Sequence, residues 1–182
     1  WTASLIRLSN EFNIDAVDAA NARYQILSNQ VAKGVQETEN FSRAVFKFAK
    51  ITKSSAEDSV NLLTAAINAY GMSASDVEPV AALFFRTIEL GRVRAQELAN
   101  TFGRAAVPAA LLGLSLRELL GSIAAITIQG VKATEAVTLM RGIMMKLAQP
   151  TDAMKALFKD WGVSSGEAAI QTFGWVGTLE KL

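Results

Sequence analysis

Leu62-Leu63-Thr64-Ala65-Ala66-Ile67-Asn68-Ala69-Tyr70-Gly71-Met72-Ser73 closes an apolar, alanine-rich segment with a glycine, a bulky aliphatic residue and a small polar one. The phrase returns as Gly113-Leu114-Ser115, Gly130-Val131-Lys132 and Gly162-Val163-Ser164, so it punctuates the whole stretch from Ser54 to Val163. Its physics is helix termination. Glycine takes the left-handed position after a helix without a Cβ penalty, and the aliphatic residue folds back onto the last turn. The serine that follows accepts from the free N–H groups of the next helix. Each phrase is one helix's stop joined to the next helix's start. The expected fold is therefore all-α: about nine or ten short helices, joined by tight Gly-containing turns into antiparallel hairpins and a bundle.

Outward from that phrase, Ser54 and Ser55 start a helix with Glu57 and Asp58 in its first turn and Val60, Leu63 and Ile67 as its stripe. Ser75-Asp76-Val77-Glu78 opens the next, with Pro79 tolerated in its first turn. Val77, Val80, Ala81, Phe84 and Ile88 line one face of it, and Gly91 ends it. A helix over about 94–112 carries Leu98, Phe102, Ala105 and Ala106, and Pro108 should kink or split it. Ser115 and Glu118 form a capping-box signature ahead of Leu116, Leu119, Leu120 and Ile123. Val137, Met140, Met144 and Leu147 stripe a helix that stops at Pro150, and Thr151 caps another running to Trp161. Ser164 or Ser165 starts the last, weakened by Gly166 and Phe173-Gly174-Trp175. The β-branched run Ile123 to Val131 is where a strand competes, but Ala124, Ala125 and the flanking helical period argue against it.

Towards the N-terminus, residues 2–11 read as a helix, and Asp15 or Asp18 opens a second that runs down to a Lys33-Gly34 stop. Asn40 is expected to cap a third, with Phe41, Val45 and Phe48 on its stripe and Phe46 off it, a helix buried on two sides. Gly34 to Asn40 is the polar gap, which suggests a 1–40 N-terminal helical arm on a 41–182 core. The chain begins with Trp1 and reads as a piece of a longer polypeptide.

Composition bounds the chemistry. Of 182 residues 51% are apolar, and the mean hydropathy of +0.24 owes much to alanine. A net charge of +1 leaves no electrostatic footprint for nucleic acid. With no cysteine there is no disulfide or thiolate metal site, and with no histidine no imidazole base, triad or histidine-bearing zinc site. No uncharged apolar run reaches the ~18–20 residues that span a bilayer. Ala105 to Ile128 comes nearest, and Pro108, Arg117 and Glu118 interrupt it.

The remaining candidates read as structure. Glu57/Asp58, Asp76/Glu78 and Asp15/Asp18 sit in first helical turns, where capping and the dipole explain them. The glycines follow helices, whereas an anion cradle needs them before. Arg86, Arg92, Arg94 and Arg104 read as a solvated face paired locally with Glu89 and Glu97. Met140, Met144 and Met145 read as a flexible apolar face, core filling first and partner contact as the alternative, Trp161 and Trp175 as core or interface anchors, and the Asn40-Phe41-Ser42 sequon as a helix cap. No catalytic, cofactor-binding or metal-binding residue is assigned, and no cofactor is expected.

From Leu62 onward the chain resembles the conserved core of phage tail tape measure proteins. The 62–73 phrase carries the likeness, followed by Val80 to Gly91, Glu97-Leu98-Ala99 with Phe102-Gly103-Arg104, and Leu112-Gly113-Leu114-Ser115. Ala124-Ala125-Ile126-Thr127, Gln129-Gly130, Leu139-Met140-Arg141-Gly142 and Gln149-Pro150-Thr151 continue it in order over roughly 55–165. Where the family commonly has Thr or Ser, this chain has Arg92-Val93-Arg94 and Lys132, so two helices start without a good N-cap. The resemblance implies a non-enzymatic, scaffolding role: a virion protein of the tail tube lumen that determines tail length, assembles in the host cytoplasm and is released during DNA delivery. It implies tail tube protein, tail assembly chaperones and tail tip proteins as partners, and a homo-oligomer in the tail. It implies no specific nucleic-acid site, and membrane contact on ejection. A membrane-active or channel-forming helical domain aiding genome passage is the alternative, and a generic helical partner-binding module a third reading.

Overall fold

The structure, a computed structural model, describes residues 2–182. Among them it contains helices and no strand: α1 (Thr2–Phe12), α2 (Ala16–Ser28), α3 (Gly34–Thr52), α4 (Ala56–Ala69), α5 (Val77–Gly91), α6 (Ala95–Ala99), α7 (Gly103–Leu111), α8 (Leu116–Thr127), α9 (Ala133–Ala148), α10 (Asp152–Asp160) and α11 (Gly166–Lys181). A 3-10 turn, Ala74–Asp76, leads into α5. The all-α expectation holds, and the run Ile123 to Thr127 is helical.

The glycine phrases do what their chemistry requires. Gly71, Gly113, Gly130 and Gly162 all have positive φ, between 60° and 92°. At three of them the residue after glycine donates back five positions: Met72 N–H to Ile67 O, Leu114 to Ala109 and Val163 to Phe158, each 2.9 Å. That is the Schellman closure, and it satisfies carbonyls that the helix end leaves free. The next helix is capped at once where a serine follows. Ser115 Oγ accepts from Glu118 N–H at 3.2 Å while Glu118 Oε2 accepts from Ser115 N–H at 3.0 Å. Ser165, not Ser164, caps α11. As the departures from the family pattern imply, Lys132 gives α9 no side-chain cap. Glu97 supplies the equivalent at α6 by accepting from Arg94 N–H at 3.2 Å.

α4 is the central helix, packed against α2, α3, α5, α6 and α7, which is why Val60, Leu62, Leu63, Ala66 and Ile67 are all buried on more than one side. α5 lies on α8 and α7 on α9. Phe84 meets Phe102 edge to face at 4.9 Å in the middle of the core. Phe41, Val45, Phe46 and Phe48 are all buried, so α3 is enclosed on two sides as its sequence indicates.

Four local expectations change. Lys33-Gly34 does not stop α2, which ends at Ser28 with Gln30 left-handed (φ 54°). These residues instead open α3, because Glu37 Oε2 reaches back to Lys33 N–H at 2.7 Å. Asn40 therefore lies inside α3 and caps nothing, and Ser42 of the sequon is buried. The 94–112 helix does split, but between Ala99 and Gly103, while Pro108 sits inside α7. Gly91 and Gly166 are packing glycines, not breakers. A Cβ on Gly91 would lie 2.6 Å from Thr127 Oγ1, and one on Gly166 2.5 Å from the Leu147 carbonyl oxygen. Arg92, not Gly91, takes the left-handed position after α5. Gly174 does break α11, at φ 72° and ψ 172°.

Candidate functional site

The residues that sequence singles out for chemistry fall into structural posts. Asp15 Oδ1 accepts from Val17 N–H at 2.8 Å and caps α2. Asp58 and Asp76 close caps with Ser55 and Ser73. Arg86 pairs with Glu89 one turn on, whereas Glu97 takes a backbone N–H and not a guanidinium. Met140 and Met144 are core residues, and Met145 is on the surface. Trp175 is buried and donates its indole N–H to Ser122 Oγ at 2.8 Å, tying α11 to α8. Trp161 is half-buried in a ring cluster with Phe158 and Phe173, and the Lys181 ammonium lies 4.7 Å from the Phe173 ring centre. Among the described residues no group of three or more acidic side chains converges to hold a metal ion.

Two polar features escape sequence reading because their members are far apart in the chain. Arg23 is buried between α1, α2 and α3, with Ser4 and Ser42 hydroxyls 3.4 Å from its guanidinium. Burial lowers its pKa, and the Glu39 carboxylate works against that. Glu39 is itself held below the ordinary carboxylate range, first by a hydrogen bond from Ser4, then by Arg7 and Arg23. Ion pairs Arg7–Glu39 and Arg43–Glu11 fasten α1 to α3. At the other feature Tyr70 Oη is buried without a hydrogen-bond partner. Burial pushes its pKa up, and the neighbouring Glu118 carboxylate adds to the effect.

Two apolar grooves interrupt the surface. One lies between α3 and α5, about 330 Å3, with Phe48, Ile51 and Phe85 in its lining. The other, about 420 Å3, lies beside α7, α9 and the start of α11, with Val107, Leu111 and Met145 in its lining. Leu111 is 76% exposed there, an unusual setting for a leucine in a folded helix. Grooves of this kind, floored by helices and lacking convergent polar groups, suit protein surfaces better than small polar substrates.

A family model described as phage-related minor tail protein matches residues 2–182. The chain belongs to that family. Its members are structural proteins of the phage tail, so the chain is a tail protein segment of the virion. The chain is also similar to the tape measure protein of Pneumococcus phage Dp-1, at 27% identity over 152 residues that cover 82% of this chain. It spans only 13% of the length of that relative. No solved structure matches it. The family likeness read from the glycine phrases thus stands, and the fold above is how the family's sequence pattern is realised in this chain.

Proposed function

We propose that this chain is a structural segment of a tape measure protein. In this reading it helps set tail length from within the tail tube lumen, assembles in the host cytoplasm, leaves the tube during DNA delivery and performs no catalysis. The observation that carries it is the likeness to a tape measure protein over most of this chain. Tail tube protein, tail assembly chaperones and tail tip proteins are the partners it would meet, and copies of the chain would associate with one another.

The helix lengths refine the role. A continuous helix of 182 residues would reach about 270 Å. α3, with 19 residues, is the longest element described and reaches only about 28 Å. The segment is then a folded body carried beside the ruler shaft and threaded open for passage, not the shaft itself. Within it, residues 1–40 are proposed as an N-terminal arm on the 41–182 core. α1 and α2 make their main contacts with α3 and α4, and α3 runs through the boundary as the shared element. No described helix is long and apolar enough to cross a membrane, so the alternative of a membrane-active domain gains no support from helix length. Deleting the segment in frame in the parent gene and measuring tails by electron microscopy tests the proposal. Missing tails or tails of altered length are expected; tails of unchanged length and number would overturn it.

A further inference from the structure

The groove between α3 and α5 carries its own specification of a partner. The two helices run parallel, because α4 returns the chain between them. Asn40 and Arg43 lie beside Ala74 and Glu78 at one end, and Ile51 and Phe85 share the lining further along. Ala44, Phe48, Ala81 and Ala82 add to an apolar strip whose Ile51 and Phe85 are 50% and 37% exposed. Lys47 stands on the α3 side of the strip and Glu78 on the α5 side, and both are exposed. Neither makes an ion pair or hydrogen bond with the described residues, although nearby Arg43 and Arg86 are paired with Glu11 and Glu89.

An apolar strip with a cation on one helix and an anion on the other is self-complementary under one symmetry. A two-fold axis along the groove, parallel to the helices, sets α3 of one copy against α5 of the other at the same height. The strips then close on each other, and two Lys47–Glu78 pairs form between copies. An axis lying across the groove, at right angles to the helices, would instead turn the copies antiparallel, set α3 on α3 and α5 on α5, and carry each charge towards the other's Ile51 and Phe85.

We propose that the α3–α5 groove is a two-fold interface between two parallel copies of this chain. The proposal deepens the reading that copies associate in the tail, and it gives them the common direction that a shared tail axis asks for. Sedimentation equilibrium of the 182-residue chain, up to about 200 μM, reads it directly. A dimer is expected. Lys47→Glu or Glu78→Lys alone sets like charges together and should raise the dimer Kd about tenfold, and the double swap should restore it. Phe85→Glu should abolish the dimer while circular dichroism stays helical. Because the chain has no cysteine, mixing Lys47→Cys copies with Glu78→Cys copies offers a second readout that leaves the apolar strip intact: a linked pair containing one of each on mild oxidation. A monomer throughout that range with no linked pair, or a dimer indifferent to both Phe85→Glu and the charge swaps, would overturn the interface. So would single-swap losses that the double swap fails to restore, the pattern of a different partner helix. A monomeric chain whose deletion still alters tails sinks the interface alone, and a dimer whose deletion leaves tails unchanged sinks the tail-length role alone.

Discussion

A Cβ built on Gly91 would meet Thr127 Oγ1 at 2.6 Å and Ala124 Cα at 3.0 Å, whereas one on Gly113 would meet nothing within 4 Å. The two glycines are held for different reasons, and alanine separates them. At Gly91 alanine gains helix propensity but overpacks α5 against α8, at a net cost of about 1–3 kcal/mol. Thr127→Ala should recover part of that loss, so a double-mutant cycle by urea denaturation should show coupling. At Gly113 the cost comes from φ of 75°, about 1–2 kcal/mol, and no neighbour's truncation should relieve it. The same logic reverses at Lys53 and Arg92, side-chain-bearing residues at φ 55° and 56°, where glycine should stabilise by about 1 kcal/mol. Tyr70→Phe removes a buried hydroxyl that has no partner, so stability should stay level or rise by up to about 1 kcal/mol. Glu118 gives a pH signature. The Ser115 hydroxyl and backbone N–H, with the Trp175 backbone N–H, hold its carboxyl below the usual value of 4.5 against an opposing effect of burial. A carboxylate depressed in the folded state stabilises above its unfolded pKa and loses that contribution as pH falls through the folded one. The stability gap between the native chain and Ser115→Ala should therefore be widest at neutral pH and narrow steadily below pH 4.5.

Among the elements, α10 and α11 are the most lightly attached part of the bundle. α11 packs chiefly on α9, and its further ties to α8 are the Trp175 indole to Ser122 Oγ and the Trp175 backbone N–H to the Glu118 carboxylate, while Gly166 seats its first turn on the Leu147 carbonyl. Ser122→Ala leaves the buried indole N–H without an acceptor, a loss of about 1–3 kcal/mol. Hydrogen exchange should report it locally, with amides of residues 166–181 losing protection while those of α4 and α8 keep theirs. The contrast between these elements also explains what sequence could carry. Helix stops at Gly71, Gly113 and Gly162 were legible because a Schellman turn is a local contract between residues five apart. The caps at Ser115 and Thr151 were legible for the same reason. The start of α3 was hidden because Lys33-Gly34 satisfies a stop signal as well as a start, and only the reach of Glu37 decides between them. The packing roles of Gly91 and Gly166 depend on residues from other helices, and the grooves and the Arg23 layer depend on three-dimensional neighbours. None of these leaves a periodic trace in the chain.

At the scale of the whole molecule the question is whether a tape measure segment folds into a body or lies as a rod. The residues answer through burial. Leu8, Ala19 and Ile26 from the first two helices, Phe41 and Leu63 from the middle, and Phe84, Phe102 and Met144 further on all have zero exposure and belong to one continuous core. A rod would return every one of these side chains to water, at about 1.5–3 kcal/mol for each large one. No set of ion pairs seen here compensates, since those described are exposed, with side chains 20–98% accessible, and such pairs contribute about 0–1 kcal/mol each. The chain free in solution should therefore scatter X-rays as a globule, with a radius of gyration of about 16 Å for one copy. A single unbroken helix of the same length would give about 80 Å, from its reach of about 270 Å. A paired chain raises the first figure only modestly, so the two outcomes do not overlap at any concentration. Under the proposed role, passage through a narrow tube would require work against this core, and the lightly tied α10–α11 end is where opening should begin. Scattering during a urea titration, read beside hydrogen exchange, checks the order. Residues 166–181 should lose protection while the radius is still close to its folded value, and simultaneous loss everywhere would contradict it.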